Sequence, residues 1–323
     1  MERRWLELGK VLVTGANGFV GSALCAGLEA RGMRYVAAVR RRIGAEQFEA
    51  GDIAGPVDWA PALAGCDTVI HLAARVHMMR DASSDPLAAY RAVNADATLA
   101  LARQAAQQGV RRFVFLSSVK VNGERSPAGR PFSAQDRPAP QDPYGMSKLE
   151  AEQRLSEWAP RAGLELVIVR PPLVYGPGVR ANFLRLLELV RSGVPLPLGA
   201  VRNQRSMVGI DNLVDFLLLC AEHPDAAHAT WMVSDNHDVS IAELIGAIAA
   251  AMGKPARLLR VPPALLSAAA ALVGKRPAAG RLLDTLQVDV TPALQRLGWR
   301  PPVAFQDGIA KTVAHFLQAG EAR

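Results

Sequence analysis

The sequence predicts an α/β fold, a doubly wound parallel sheet followed by a smaller C-terminal α/β domain. Three observations predict it. Short apolar runs alternate with helical stretches over residues 10–170, the pattern of a parallel sheet covered by helices. A glycine-rich turn, VLVTGANGFVG at 11–21, joins the first apolar run to the first helical stretch. After Pro171 the alternation loosens, and PPLVYGPG and SGVPLPLGA give way to alanine-rich helical stretches near 241–252 and 263–273.

In chain order, strands are expected at 10–14, 35–39, 67–72, 112–117 and 165–170. Helices are expected at 18–31, 87–108 and 144–162. The 120s and 130s, rich in Pro, Gly and Ser, read as a loop. The division expected is 8–172 for the first domain and 173–323 for the second, with part of 206–234 able to return to the first.

Composition narrows the function classes. The chain has 323 residues, half of them apolar, enough for a sizeable core. Its net charge is +7, but the basic residues are scattered without aromatic interleaving, so no nucleic-acid partner is expected. Cys25, Cys66 and Cys220 are far apart and odd in number, which argues against a disulfide framework or a metal site. The N-terminal MERRWLELGK lacks the apolar core of a secretion signal. The longest apolar run, 261–274, is too short to span a bilayer and opens on two prolines. It reads as a buried helix; no membrane insertion and a cytoplasmic location are expected.

Gly15, Gly18 and Gly21 follow the first strand at the spacing Gly-x-x-Gly-x-x-Gly, with Asn17, Phe19 and Val20 between them. The first glycine permits a tight turn and the second a close backbone approach to a pyrophosphate. The third lets helix and strand pack closely. The helix N-terminus then favours the phosphate charge. This is the dinucleotide fingerprint of a Rossmann sheet. At the end of the second strand an acid would hold the ribose of NAD, whereas arginine accommodates the phosphate of NADP. The chain has Arg40, Arg41 and Arg42 there and no acid, so NADP(H) is favoured, with NAD(H) possible.

Downstream, RFVFLSSVKVNG is a strand ending on Ser117 and Ser118, and DPYGMSKLE opens a helix with Tyr144 and Lys148. Residues four apart share a helix face, with Cβ atoms about 5–6 Å apart. An ammonium beneath the phenol should lower its pKa and fit it for acid/base work.

Glycine turn, Ser-ending strand and Tyr-x-x-x-Lys, in that order, resemble the extended short-chain dehydrogenase/reductase family. The similarity is to its NAD-dependent epimerase/dehydratase branch, which acts on nucleotide sugars, and it runs through LGWRPPVAFQDGIAKTVAHFL. The resemblance implies that Ser118 binds the substrate oxygen, Tyr144 is the acid/base, and Lys148 lowers its pKa and bonds the nicotinamide ribose. It places Asp52 and Ile53 near the adenine, and Leu72, Ala73 and Ala74 along the cofactor. His71 reads as structural. Asn94 would organise the site, and Pro171 would contact the carboxamide. On the substrate side it implies Asn182 and Phe183 along the diphosphate, Pro197 and Leu198 beside the base, and Arg205 on the pyrophosphate. Arg281 is a weaker candidate.

One departure matters. Sugar dehydratases of the family carry an acid just after the Ser/Thr, and here the run is Ser118-Val119-Lys120, which disfavours dehydration. Lys120 is left between contact with substrate and exposure to solvent. The resemblance therefore implies an oxidoreductase at carbon 4 of a UDP-hexose. The arginines favour NAD(P)H-dependent reduction of a UDP-4-keto-6-deoxy-N-acetylhexosamine in surface polysaccharide synthesis. A UDP-glucose/UDP-N-acetylglucosamine 4-epimerase with bound NAD is the alternative. A steroid or aldehyde reductase and a nonenzymatic NADP-binding sensor stand further off. A homodimer is implied.

Overall fold

Alternation within the first strand sets the layers. In Lys10–Thr14 (β1), Val11 and Val13 face one apolar core and Leu12 the other, as the two-residue period of a strand requires. The computed structural model describes residues 9–76, 85–127, 129–272, 280 and 282–321. Tyr35–Val39 (β2), Gln47–Glu49 (β3), Cys66–His71 (β4), Arg112–Leu116 (β5) and Glu165–Arg170 (β6) follow, with nearly continuous apolar runs in β2, β5 and β6. Beyond them come Leu173–Tyr175 (β7), Met207–Gly209 (β8) and Ala229–Met232 (β9).

The main sheet has seven parallel strands in the order β3-β2-β1-β4-β5-β6-β9. The strand order reverses between β1 and β4, and a crevice opens at such a switch point beyond the strands' carboxyl ends. The expected Rossmann sheet is therefore present, with two strands that the sequence reading lacked, β3 and β9. β9 shows that the chain returns to the first sheet at 229–232.

Helices cover both faces. Phe19–Glu29 (α1) shares a core with β1 and the much later helix Ile210–Glu222. Ala60–Leu63 (α2), Ala97–Gln107 and Pro143–Trp158 pack on the opposite face. The helix expected over 87–108 is observed as Pro86–Arg91 (α3), one π turn at Ala92–Asp96, then Ala97–Gln107 (α4). Pro143–Trp158 is α5. Asp85 caps α3 and Asp142 caps α5, each followed by proline at the first helical position, where its missing N–H costs nothing.

A second apolar core lies beyond β6. It is built by the β7–β8 pair, Ala181–Ser192 (α6), Ile241–Ala251 (α8) and Phe305–Glu321. Ile210–Glu222 is α7, Pro263–Leu272 α9, Thr291–Arg296 α10 and Phe305–Glu321 α11. Ser240 and Glu243 form a reciprocal capping box at the start of α8. The apolar run at 261–274 departs from expectation. Its residues 263–272 form α9, but Leu265 and Leu272 are exposed rather than buried, and Leu266 is the leucine of this helix that reaches the second core; 273–274 lie outside the described residues.

The loop after Ser118 is tied to the C-terminal half. Phe132 N donates to Gln287 O (2.8 Å), and Asp289 N donates to Phe132 O (2.9 Å). Val119, Phe132, Met232, Leu286 and Val288 close over this join as a separate apolar cluster. The two halves of the chain thus meet beside Ser118.

Candidate active site

The glycine turn has the geometry that a dinucleotide requires. Gly15 has φ +66°, and a Cβ there would come within 2.8 Å of Ala73 N. At Gly21 a Cβ would lie 2.1 Å from the Gly15 carbonyl oxygen. Among the described residues no side chain caps α1 at Gly18, and Asn17 and Gly18 are exposed, so this helix N-terminus is open to an anion. Phe19 and Val20 are half-buried in the first turn. These residues fit a pyrophosphate.

His71 locks the turn to β4. Thr98 spends its one hydroxyl proton on Asn94 O (2.9 Å), so His71 Nε2 donates to Thr98 Oγ1 (2.9 Å). Neutral Nδ1 then accepts from the Thr14 hydroxyl (2.7 Å), whose oxygen accepts from Leu72 N and Ala73 N (3.2 Å each). Burial, with the Lys148 charge nearby, pushes the His71 pKa down to about 3, consistent with this neutral tautomer. Both ring nitrogens of buried His71 are thus used, and through Thr14 it holds the Leu72–Ala73 backbone.

Ser118, Tyr144 and Lys148 come together at the crevice. The Ser118 hydroxyl lies close enough to the Tyr144 phenol to lower its pKa. Ser117, by contrast, turns inward and donates to Glu152 Oε1. Lys148 is buried under the site, its Nζ donating to Leu116 O (2.8 Å) and lying 4.5 Å from the Phe115 ring centroid. The expected fall in the Tyr144 pKa is not observed. Burial raises it, the Asp142 charge adds to that, and the Ser118 hydroxyl only partly opposes them. Burial also lowers Lys148 to about 7 against the opposing charge of Glu152. The ammonium is thus bonded to a backbone carbonyl and is itself destabilised.

Asn94 sits on the π turn, whose wider winding has Ala97 N donating to Ala92 O. Its amide is fully used: Oδ1 accepts from Arg75 N (2.8 Å), and Nδ2 donates to Arg75 O (3.0 Å) and Ser147 Oγ (2.9 Å). Asn94 therefore stitches the segment after β4 to the Tyr144 helix. The Tyr90 ring packs edge-on to Tyr144, with centroids 6.3 Å apart.

Lys120 is neither solvent-facing nor free. Its ammonium pairs with Asp142 and with Glu124 (2.8 Å). Burial alone would lower its pKa, but these carboxylates raise it. Asp142 in turn accepts from Gly145 N (2.7 Å), so Lys120 anchors the cap of the Tyr144 helix to the Ser118 turn. A Cβ on Gly145 would lie 2.9 Å from Lys120 O. Gly145→Ala is accordingly expected to push α5 off this turn and cost about 1–3 kcal/mol, read as a lower melting midpoint.

Behind the trio lies a cluster that the sequence reading missed. Arg170 Nε donates to Glu152 Oε1 (3.0 Å), Nη2 to Glu152 Oε2, and Nη1 to Asn122 Oδ1 (2.9 Å), all buried. Tyr144, Lys148 and Glu152 recur every four residues, so helical spacing could have flagged Glu152. Pro171 is buried beside it, and its carbonyl accepts from Val119 N (3.0 Å).

At the far end of the sheet, Arg40, Arg41 and Arg42 are exposed just past β2. The unforeseen β3 sets Glu49 level with Val39, and its carboxylate accepts from Arg42 N (3.2 Å). Asp52 is exposed, with Oδ1 accepting from Ala54 N (3.2 Å), and Ile53 packs on the α4–α5 core. Ala74 is half-buried past β4. In the second unit, half-buried Arg205 donates to Asp284 O (3.0 Å). Its pKa is lowered by burial, while the charges of Asp284 and Glu124 act the other way. Glu124 therefore interacts with both Arg205 and Lys120. Asn182 and Pro197 are exposed and Leu198 half-buried, but the Phe183 ring is buried and stacked on Tyr175 (5.8 Å). Arg281 lies outside the described residues. Among the described residues no cluster of His, Cys, Asp or Glu could hold a metal ion.

Comparison with known proteins agrees with this geometry. The profile of the NAD dependent epimerase/dehydratase family matches residues 11–238. The chain is 45% identical over 314 residues to a UDP-glucose 4-epimerase of Vibrio cholerae, covering 96% of each chain. Among solved structures it resembles MoeE5 in complex with UDP-glucose and NAD (TM-score 0.74, 28% identity, 96% of this chain and 99% of that one). It also resembles the UDP-glucose 4-epimerase of Thermus thermophilus in complex with NAD (TM-score 0.75, 26% identity, again 96% and 99%). The chain belongs to the NAD dependent epimerase/dehydratase family and is an enzyme of the short-chain dehydrogenase/reductase type.

Proposed function

We propose that this enzyme inverts the hydroxyl at carbon 4 of a UDP-hexose, using an NAD that it keeps. The observation that carries this reading is Ser118 beside Tyr144 with Lys148 buried beneath, behind an open glycine turn. The same trio serves a 4-keto reductase, so a second argument is needed to choose. It is the identity to a UDP-glucose 4-epimerase over nearly the whole chain. The two solved relatives with NAD favour that cofactor over NADP. The exposed arginines after β2 remain the specific observation in favour of NADPH and the reductase, with Glu49 beside them partly offsetting their charge.

Bound at the switch point, the nicotinamide supplies hydride acceptance and return at carbon 4. The chain's own residues do the rest. The Ser118 hydroxyl binds the substrate oxygen; Tyr144 Oη, once its own proton has passed to solvent, takes the hydroxyl proton during oxidation and gives it back during reduction, after the 4-keto sugar has turned its other face to the hydride. Because burial holds the phenol pKa high in the free enzyme, proton removal draws on Lys148 as ammonium at that moment. Residues 8–172, with the returning β9, carry the dinucleotide; the second core carries the sugar nucleotide. There Arg205 meets the diphosphate with Asn182 along it, and Pro197 and Leu198 flank the base.

The test uses purified enzyme without added cofactor. UDP-glucose or UDP-N-acetylglucosamine should yield the 4-epimer, and denaturation should release NAD near one per chain. Stoichiometric NADPH consumption with UDP-4-keto-6-deoxy-N-acetylglucosamine, and no epimer, would replace this reading by the reductase.

A further inference from the structure

The exposed helix α9 reads PALLSAAAAL, apolar but for one serine and without a charge. Leu265 is 61% exposed, Leu272 90%, and Leu259 just upstream 54%. Folded chains seldom leave leucines clustered in this way on a free surface. Half-buried Leu266 fastens the helix to the second core and leaves the other leucines facing out.

The sequence on either side of it is one-sided in charge. From residue 244 to 283 there are six basic residues and no acid, nearly the whole of the chain's +7. Lysine and arginine are scattered along the sequence; the asymmetry is in the missing acids. Arg257 and Arg260, immediately ahead of α9, are both exposed.

We propose that α9 and the arginines before it form a docking surface for an anionic lipid bilayer. An apolar helix flanked by exposed cations suits the headgroup region, where leucines enter the acyl boundary and arginines stay with the phosphates. Ten residues give a helix about 15 Å long, half the hydrocarbon thickness, so α9 lies in one leaflet's interface and does not cross. No described helix is long and apolar enough to cross a membrane. A second copy of the chain is the less suitable occupant, because an isologous contact would bring the exposed Arg257 and Arg260 of both copies together.

The test is flotation of the full chain with phosphatidylcholine vesicles, with and without phosphatidylglycerol. Binding is expected only with phosphatidylglycerol and should weaken with salt. Arg257→Gln with Arg260→Gln should lower partitioning roughly 30-fold. Leu265→Gln with Leu272→Gln should lower it on the order of 100-fold. Both pairs should leave the melting midpoint unchanged, which separates lost docking from lost folding. No binding to phosphatidylglycerol vesicles at low salt overturns the proposal, as does binding indifferent to the leucine pair. So does a sedimentation experiment in which the leucine pair splits a dimer that never bound vesicles; the face then belongs to a second copy.

Discussion

Tyr144→Phe is expected to lower turnover by about 10²–10⁴-fold while leaving the fold and sugar-nucleotide affinity almost unchanged. The change removes one oxygen. The ring stays, with its edge-on contact to Tyr90, and so does the helix cap made by Asp142. What goes is the hydroxyl beside Ser118, the phenol placed to carry the proton of the carbon-4 hydroxyl. Calorimetric UDP-sugar affinity within a few-fold of wild type, with turnover collapsed, is the expected pair of results. Retention of a tenth of the turnover would remove Tyr144 from the acid/base role and turn attention to Lys148 and the Ser118 hydroxyl.

The sequence revealed the frame of this site more readily than its electrostatics. Glycines at 15, 18 and 21 are readable because a dinucleotide turn needs residues without a Cβ, as the near contacts at Gly15 and Gly21 show. Tyr144 and Lys148 were readable because helical spacing is a local rule. The direction of the Tyr144 shift was not, since it depends on burial by elements distant in sequence, with the Asp142 charge adding to it. Arg170 and Glu152 are 18 residues apart, and no local rule says that they meet. β9 pairs with β6 across some sixty residues, which periodicity in a four-residue strand cannot announce. For α9, composition announces an apolar helix, and burial is the natural inference. Whether a helix is covered depends on what the rest of the chain has to place against it.

Glu152→Gln is expected to destabilise the enzyme by about 3–5 kcal/mol, on the order of 10 °C in melting midpoint. The variant leaves the Arg170 guanidinium buried opposite a neutral amide and weakens the bond from Ser117. A second consequence follows from charge. The Glu152 carboxylate raises the Lys148 pKa, which burial has lowered to about 7, so its loss must lower that pKa further. If turnover needs the ammonium, the alkaline limb of the pH–rate profile moves to lower pH in the variant. A purely structural role would lower stability and leave that limb in place. The double variant Glu152→Gln with Arg170→Met distinguishes the two. Removing both buried charges should recover much of the lost stability, because an ion pair replaced by a neutral, well-filled site is often close to even. It cannot restore the carboxylate beneath Lys148. A stable double variant with its alkaline limb still displaced would make Glu152 a positioning residue for the proton step; a limb back at the wild-type pH would confine it to holding α5 on the sheet.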